Sequence, residues 1–505
     1  MAVDPRTPVI VGTGQVSQRE ADPAAALEPV DLLATAARAA DADARARRSL
    51  LDTVDTIAVV DILSWKYPDP GALLARRLGI EPRRTVTTTV GGNSPQMLVN
   101  RLGDGVQRGE HDVVLLGGTE CMYTRWRARR ADPKTWLPWE QPDDPPCPDV
   151  RGDDRPGSSA FELAHLALAP TQVYPLFETA RRALLGHGLD EHQRHVARLW
   201  SHFASAAADN PHAWSRTPYS PDDLRTVSPD NRMVVFPYPK RLCANIDVDQ
   251  AAAMLLCSYQ AARDAGVPDG RMVFLRAGAD AHDTYFFSER VSLAESQAIG
   301  IAGRAAVEAA GVTLDDVARF DLYSCFPSAV QAAMGSLGLV GPDGGDTRPL
   351  TVTGGLGFAG GPGNNYVTHS IAAMVDACRA DPGALGLVTA LGWYVTKHSV
   401  GVYSATPGPD GFRVVDPRAT QGVVDVGPTR AVTGPYAGDA VVEATSVAYE
   451  RDGTPSLGIL AALTVDGRRA LAISRDADAL ASMCAEAWEG RSVTLRPDGD
   501  TNHLG

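Results

Sequence analysis

The stretch TVTTTVGGNSPQMLVNRL (85–102) carries a strand-like run of Thr and Val into Gly91-Gly92 and then into a helix start. Such a turn is where α/β enzymes place a nucleophile or an anion, because free amides at a helix N-terminus favour negative charge. Glycine can supply neither a nucleophile nor an acid/base group, so Gly91 and Gly92 offer only backbone N–H donors. Three side chains elsewhere could do chemistry. Tyr323 in YSCF (323–326) presents a phenol, either to move a proton or to fill a site. Cys325 beside it is a possible nucleophile, although strand alternation would turn it away from the face of Phe326. His398, which follows ALG (390–392), is either a general base or a hydrogen-bonded structural ring. Arg125, Arg127, Arg129 and Arg130 surround Trp126, and Lys240-Arg241 lie in PYPKRL; these cations suit phosphates or a solvated face. Gly12-Thr13-Gly14 lacks the third glycine of a dinucleotide fingerprint and reads as a strand-end turn. His192-x-x-His195 has no accompanying Glu or third ligand, so no metal is expected.

The chain that must position these groups has 505 residues, enough for about three domains. Its 44% hydrophobic and 21% charged residues describe an ordinary globular protein with a sizeable core. A formal net charge of −14 excludes a general polyanion binder, so no nucleic acid is expected as the main partner. No apolar run reaches the ~20 residues of a membrane span. The N-terminus shows no basic region followed by an apolar stretch, as a secretion signal would. Seven scattered cysteines without a CxxC point to a reducing, cytoplasmic setting.

An order of elements occurs twice. An Ala-rich helix (33–43), a strand (54–63), the Gly91-Gly92 turn, a helix and the strand DVVLLGG (112–118) form one series. A helix (301–311), VARFDLYSCF (317–326), Gly354-Gly355, a helix and LGLVTALG (385–392) form the other. Asp52 and Asp315 are separated by 263 residues, and so are Gly91 and Gly354. Asn93 or Ser94 can cap the first helix, and Pro95 suits its first turn. Leu98, Leu102 and Val106 then mark one apolar face, as Val367, Ile371, Val375 and Cys378 do in the second series. A long excursion rich in Pro, Arg and Trp (about 123–240) is large enough to cover a site. From about 407 alternating segments between Gly, Pro and Asp turns predict a small antiparallel β unit. From residue 405 onward there are 9 Arg and 14 Asp plus Glu, a net −5.

Together these features resemble the thiolase superfamily, whose fold is a duplicated βαβαβαββ unit, layered αβαβα, with an inserted loop domain. On that resemblance Gly92 stands at the nucleophilic cysteine, YSCF at the family's His-Asp-Cys-Phe, Gly361 of GGPGNN at the histidine of Gly-His-Pro, and Ala390 of ALG at the cysteine of Cys-x-Gly. YPLFETARRALLGHGLDEH, PYPKRLCANIDVDQAAAMLL and ALGWYVTKHSVGVYS are similar to thiolase-like protein type 1, a subgroup labelled acetyl-CoA acetyltransferase that carries an extra C-terminal domain. The resemblance implies an N-terminal half (1–270) holding the insertion, a C-terminal half (271–405) and an additional β-rich domain (406–505).

Thiolase chemistry needs a thiolate to carry the acyl group and an acid/base group to form the enolate. Gly92, Gly361 and Ala390 supply neither. The amides of Gly92 and Gly392 could still form an oxyanion pocket. The resemblance therefore implies a protein of lipid metabolism that binds acyl-CoA thioesters, with coenzyme A as ligand rather than as bound cofactor. Arg125, Arg127, Lys240 and Arg241 are the candidates for its phosphates. One alternative is retro-aldol cleavage of a 3-hydroxyacyl-CoA by Tyr323, with His398 or a lysine depressing its pKa. Another is acyl transfer by unrecognised residues. The tail is expected to cap the core or dock a protein partner, and the core is expected to stand without it.

Overall fold

Runs of Val, Leu and Ile without alternation must be covered on both faces, and they form one large buried mixed sheet. In the computed structural model, which describes residues 3–341 and 344–505, eleven strands join it. Its order is Val317–Asp321, Leu385–Gly392, Lys397–Ser404, Val273–His282, Pro8–Ser17, Asp249–Ser258, Val113–Cys121, Thr56–Val59, Arg84–Thr88 and Val150–Arg151, with Arg413–Val414 added beside Val273–His282. The two halves meet where Val9 and Ile10 pair with Phe274 and Val273.

Outward from that seam both halves use the same order, which demonstrates the duplication. Each begins with its first strand (Pro8–Ser17 or Val273–His282), followed by its antiparallel last strand (Asp249–Ser258 or Lys397–Ser404). Next come Val113–Cys121 and Leu385–Gly392, then Thr56–Val59 and Val317–Asp321 in parallel. Arg84–Thr88 follows, with Val150–Arg151 outside it, and its counterpart is the segment at Pro349 and Leu350, whose carbonyls accept from the N–H groups of Phe320 and Leu322. The helices Ser94–Gln107 and Tyr366–Ala380 touch each other and strands of both halves, making the central layer. Pro29–Ala44 and Gln297–Ala309 cover the outer faces, completing the αβαβα order. Leu98, Leu102, Val106, Val367, Ile371, Val375 and Cys378 are all buried.

The repeat is less regular than its spacing suggests. The short helices Leu51–Thr53 and Leu314–Asp316 do match. Gly354, however, precedes only the four-residue helix Gly355–Phe358, and the long helix begins at Tyr366 after a glycine-rich loop.

The excursion supplies two long helices, Pro170–Leu185 and Leu189–Asp209, and a hairpin, Met233–Phe236 with Tyr238–Pro239. Val235 and Phe236 of that hairpin pair with Ala448 and Val447 of the tail. The tail strands are Gly438–Tyr449, Pro455–Thr464, Arg469–Ser474, Ser492–Asp498 and Thr501–Leu504. Its first strand pairs with both the second and the fourth, and its third runs parallel to the fifth. With the helix Ala477–Ala485 between the third and fourth, this is the connectivity of an oligonucleotide-binding-type barrel. The chain leaves the core later than residue 405. Arg413–Val414 still pairs with Ala277 and Gly278, and the helix Pro417–Asp425 still packs on Val273–His282.

Candidate functional site

The turn after Arg84–Thr88 brings Gly91 and Gly92 to the C-terminal ends of the strands and leads into the helix Ser94–Gln107. Neither Asn93 nor Ser94 caps that helix. The Ser94 hydroxyl points to Thr89 O at 3.3 Å, and Asn93 makes no capping bond. The turn is fixed from the second half instead. Asn364 Oδ1 accepts the Gly91 N–H at 2.9 Å, while its Nδ2 donates to Asp61 O at 3.0 Å. On the other side Lys397 Nζ donates to Val90 O at 2.7 Å and to Asp153 O at 3.0 Å. Burial pulls the Lys397 pKa down to about 8. Gly392 closes against this turn, since a Cβ on it would lie 3.3 Å from the Gly91 Cα.

Gly92 faces a cavity of about 470 Å³ whose walls include Tyr323, Cys325, Phe326, Gly361, Leu391 and Trp393. Its lining is largely aliphatic and aromatic, as ligand pockets are. The decisive contact is steric. A Cβ on Gly92 would come 2.4 Å from Tyr323 Oη and 2.5 Å from the Leu391 carbonyl oxygen. The tyrosine hydroxyl and a strand carbonyl occupy the space that any side chain at position 92 would need. Burial pushes the Tyr323 phenol well above its ordinary pKa, so Tyr323 is an O–H donor at neutral pH. No cation opposes that shift; the neighbouring Cys325 adds to it. The Tyr323 backbone N–H is tied to Thr389 Oγ1 at 2.9 Å, and its ring stands edge-on to Tyr366 at 5.6 Å.

Several expectations shift at this site. Cys325 shares the cavity with Phe326, because the strand ends at Asp321 and alternation no longer applies at 323–326. Burial pushes its thiol up to about 12, so it carries no thiolate. Tyr366 is not a second site tyrosine: its hydroxyl meets Thr353 Oγ1 at 2.6 Å and Asp321 Oδ1 at 3.2 Å. His398 pairs across from Leu391 but does not line this cavity. Its Nε2 lies 3.3 Å from Ser296 Oγ and 3.2 Å from Val395 O, and burial pushes its pKa down to about 4. Ala390 is fully buried in its strand.

The proposed cations are spread out, and none lines the cavity. Arg125 has its guanidinium against the wall, with Nη1 3.3 Å from the carbonyl of Leu63, a lining residue. Arg127 donates to Glu20 O, Arg241 donates to Asp223 O while stacking on Tyr219, and Lys240 is exposed. His192 is held by the buried Glu178 carboxylate at 2.6 Å. Asn364, Lys397 (beside the candidate His398), Tyr174, Trp393 and Tyr394 are given no role by the sequence reading. Only the first two had a signal, as polar neighbours of recognised motifs.

The sheet order, the paired central helices and the glycine turn at the strand ends define a protein of the thiolase superfamily. A crystal structure of a monomeric SCP2-thiolase-like protein type 1 from Mycobacterium smegmatis matches over 100% of both chains, with 34% identity and a TM-score of 0.84. The chain belongs to that family, thiolase-like protein type 1. Residues 420–500 match the family's additional C-terminal domain. The Ltp2-ChsH2(DUF35) aldolase (18% identity, TM-score 0.59, covering 80% of this chain and 98% of that one) shares the fold. So does the dimeric peroxisomal thiolase of Saccharomyces cerevisiae (14% identity, TM-score 0.55, the same coverage). No curated protein is similar in sequence. Among the described residues no helix is long and apolar enough to cross a membrane.

Proposed function

We propose that this protein binds acyl-CoA-type thioesters in the cavity beside Gly92 and does not perform Claisen or thiolytic chemistry. The observation that carries the reading is the Tyr323 hydroxyl standing where a nucleophile at position 92 would project. The apolar walls suit the acyl chain. The neutral phenol and the Gly92 amide are donors for the thioester oxygen, as an oxyanion pocket requires. With glycine at 92 and 361 and alanine at 390, the acyl-enzyme and the proton transfers of a thiolase have no side chain to run through. The Mycobacterium smegmatis relative and the thiolase fold support a thioester ligand. Arg125, beside the cavity wall, is the cation best placed for a phosphate; Lys240, Arg127 and Arg241 are secondary.

Retro-aldol cleavage is the second reading, favoured by the unencumbered Tyr323 hydroxyl and by the aldolase among the fold neighbours. It requires Tyr323 to act as a base, and burial moves the phenol in the opposite direction. Acyl transfer by other residues is weaker still, since both cavity cysteines, Cys243 and Cys325, are held as thiols. Calorimetric titration with dodecanoyl-CoA, alongside an acetoacetyl-CoA thiolysis assay, tests the reading. Binding without thiolysis is expected. Thiolysis above background, or no binding of dodecanoyl-CoA, would refute it.

A further inference from the structure

Among the described residues four non-glycine positions have positive φ: Arg45, Leu166, Trp393 and Val395. Arg45 is an ordinary left-handed cap of the helix Pro29–Ala44. The other three flank the cavity. Trp393 lines it, Val395 belongs to the same four-residue turn, and Leu166 lies two residues before Leu168 on the rim. For a β-branched residue such as Val395 this conformation is costly and persists only where the surroundings impose it.

What imposes it here can be traced. In the turn 393–396, Trp393 O accepts from Tyr174 Oη at 2.8 Å and Tyr394 O from Arg290 Nη1 at 2.8 Å. Thr396 O accepts from the Asp283 N–H at 2.8 Å, and Thr396 Oγ1 from Arg290 Nη2 at 2.9 Å. Arg290, 4% exposed, is held in turn by the tail. Its carbonyl accepts from Arg469 Nη1 at 2.6 Å, and Arg469 also donates to Ser288 O at 2.8 Å. Arg469 is fully buried and forks onto Glu443 with two bonds of 2.8 Å. The rim is held by the last tail strand. Thr501 Oγ1 donates to Ala164 O at 3.0 Å, and the Asn502 N–H donates to His165 Nε2 at 3.0 Å. Tyr394 Oη donates to Leu168 O at 2.6 Å and links rim to wall.

The Arg469–Glu443 pair lies within the tail and adds little attraction between tail and core; what crosses is the guanidinium donating to the carbonyls of Ser288 and Arg290. Its benefit is position, since a forked guanidinium fixes carbonyl directions that packing leaves free. We propose that the additional C-terminal barrel is a positioning element of the cavity. Arg469, held by Glu443, fixes the strained turn 393–396, and Thr501 with Asn502 fixes the rim at 164–168. The affinity readout below rests on the thioester reading; the exchange readout does not.

The test uses the full chain carrying Glu443→Gln or Thr501→Val, with hydrogen–deuterium exchange read on peptides covering 390–398 and 161–168. The strand Thr56–Val59, remote from the barrel, is the reference. Glu443→Gln is expected to speed exchange about tenfold at 390–398, and Thr501→Val somewhat less at 161–168, with the reference unchanged. Dodecanoyl-CoA should bind about tenfold more weakly to Glu443→Gln, the scale of one lost charge-assisted bond. Thr501→Val removes only a hydroxyl, so it remains usable if Glu443→Gln does not fold. Unchanged exchange in both segments, or a rise shared by the reference strand, overturns the proposal. Localised loosening in a protein that does not bind dodecanoyl-CoA at all supports the positioning role and refutes the thioester reading.

Discussion

Gly92→Ala is the most direct probe of why the turn is glycine. Its Cβ would sit 2.4 Å from Tyr323 Oη, 2.5 Å from Leu391 O and 2.9 Å from Tyr323 Cζ, where ordinary contact begins at 3.4 Å. The two oxygens must yield by roughly 1.0 and 0.9 Å, and overpacking of this kind costs ~1–3 kcal/mol. Neither oxygen moves freely. The Tyr323 ring is wedged against Tyr366, and Leu391 is paired within the sheet. The cost should therefore fall near the top of the range, about 2–3 kcal/mol. Tyr323→Phe deletes the hydroxyl contact and leaves the Leu391 carbonyl in place. The double variant should regain about 1 kcal/mol relative to the sum of the single changes. Urea unfolding of the four proteins, followed by circular dichroism, measures the coupling. Gly92→Ala as stable as wild type, or a coupling below about 0.3 kcal/mol, would refute the steric account. The same contacts explain why Gly92→Cys should not restore a working nucleophile.

Three other outcomes are expected. Contrary to the expectation from sequence that the core stands alone, ending the chain at residue 407 removes the Arg469 bonds to Ser288 and Arg290 and the Thr445 bond to Thr179, so the core should aggregate; a monodisperse, cooperatively unfolding fragment in sedimentation and calorimetry would contradict this. His398 has a folded pKa of about 4 against an ordinary 6.5, so the unfolded chain takes up its proton first as pH falls. Stability present above pH 6.5 is then lost down to about pH 4, and His398→Asn should flatten that slope by at most ~1.4 kcal/mol per pH unit. Val150–Arg151 pairs with Thr87 and Thr88 and makes the outermost strand of the first half only two residues long, a poor edge for another copy to add to. Light scattering should report a monomer at micromolar concentration, and a stable dimer would show that contact is made elsewhere.

The sequence made the duplication legible because its periodic signals are local. Apolar runs, turn glycines and the 263-residue spacing of Asp52 and Asp315 come from elements that each half forms independently. It located the apolar face of the second long helix at Val367, Ile371, Val375 and Cys378, but a glycine pair at 354–355 announces a turn and not the length of the loop that follows. Tyr366 starts that helix directly after GGPGNN (360–365), a turn signal that has no counterpart after Gly91. It placed Tyr323, Gly92 and Gly361 in one cavity through resemblance. The side of Cys325 was wrong because alternation was carried past the strand end at Asp321.

What remained hidden depends on contacts between distant segments. Asn364 and Lys397 read as unremarkable polar residues until the halves are docked, when one holds the Gly91 amide and the other the Val90 carbonyl. The tail raised the same difficulty on a larger scale. Alternation and turn residues predicted a β unit, and its net charge argued against nucleic acid. Neither could reveal that Arg469 reaches into the core, because an arginine at the start of a strand looks the same whether it meets water or three buried carbonyls. A fully buried guanidinium without partners would be prohibitively costly, so its bonds to Glu443 and to the 287–290 segment are part of the same folding unit as the cavity. The loss of a side chain at position 92 and the gain of a barrel behind the strained turn thus act on one wall, from inside through Tyr323 and from outside through Arg290.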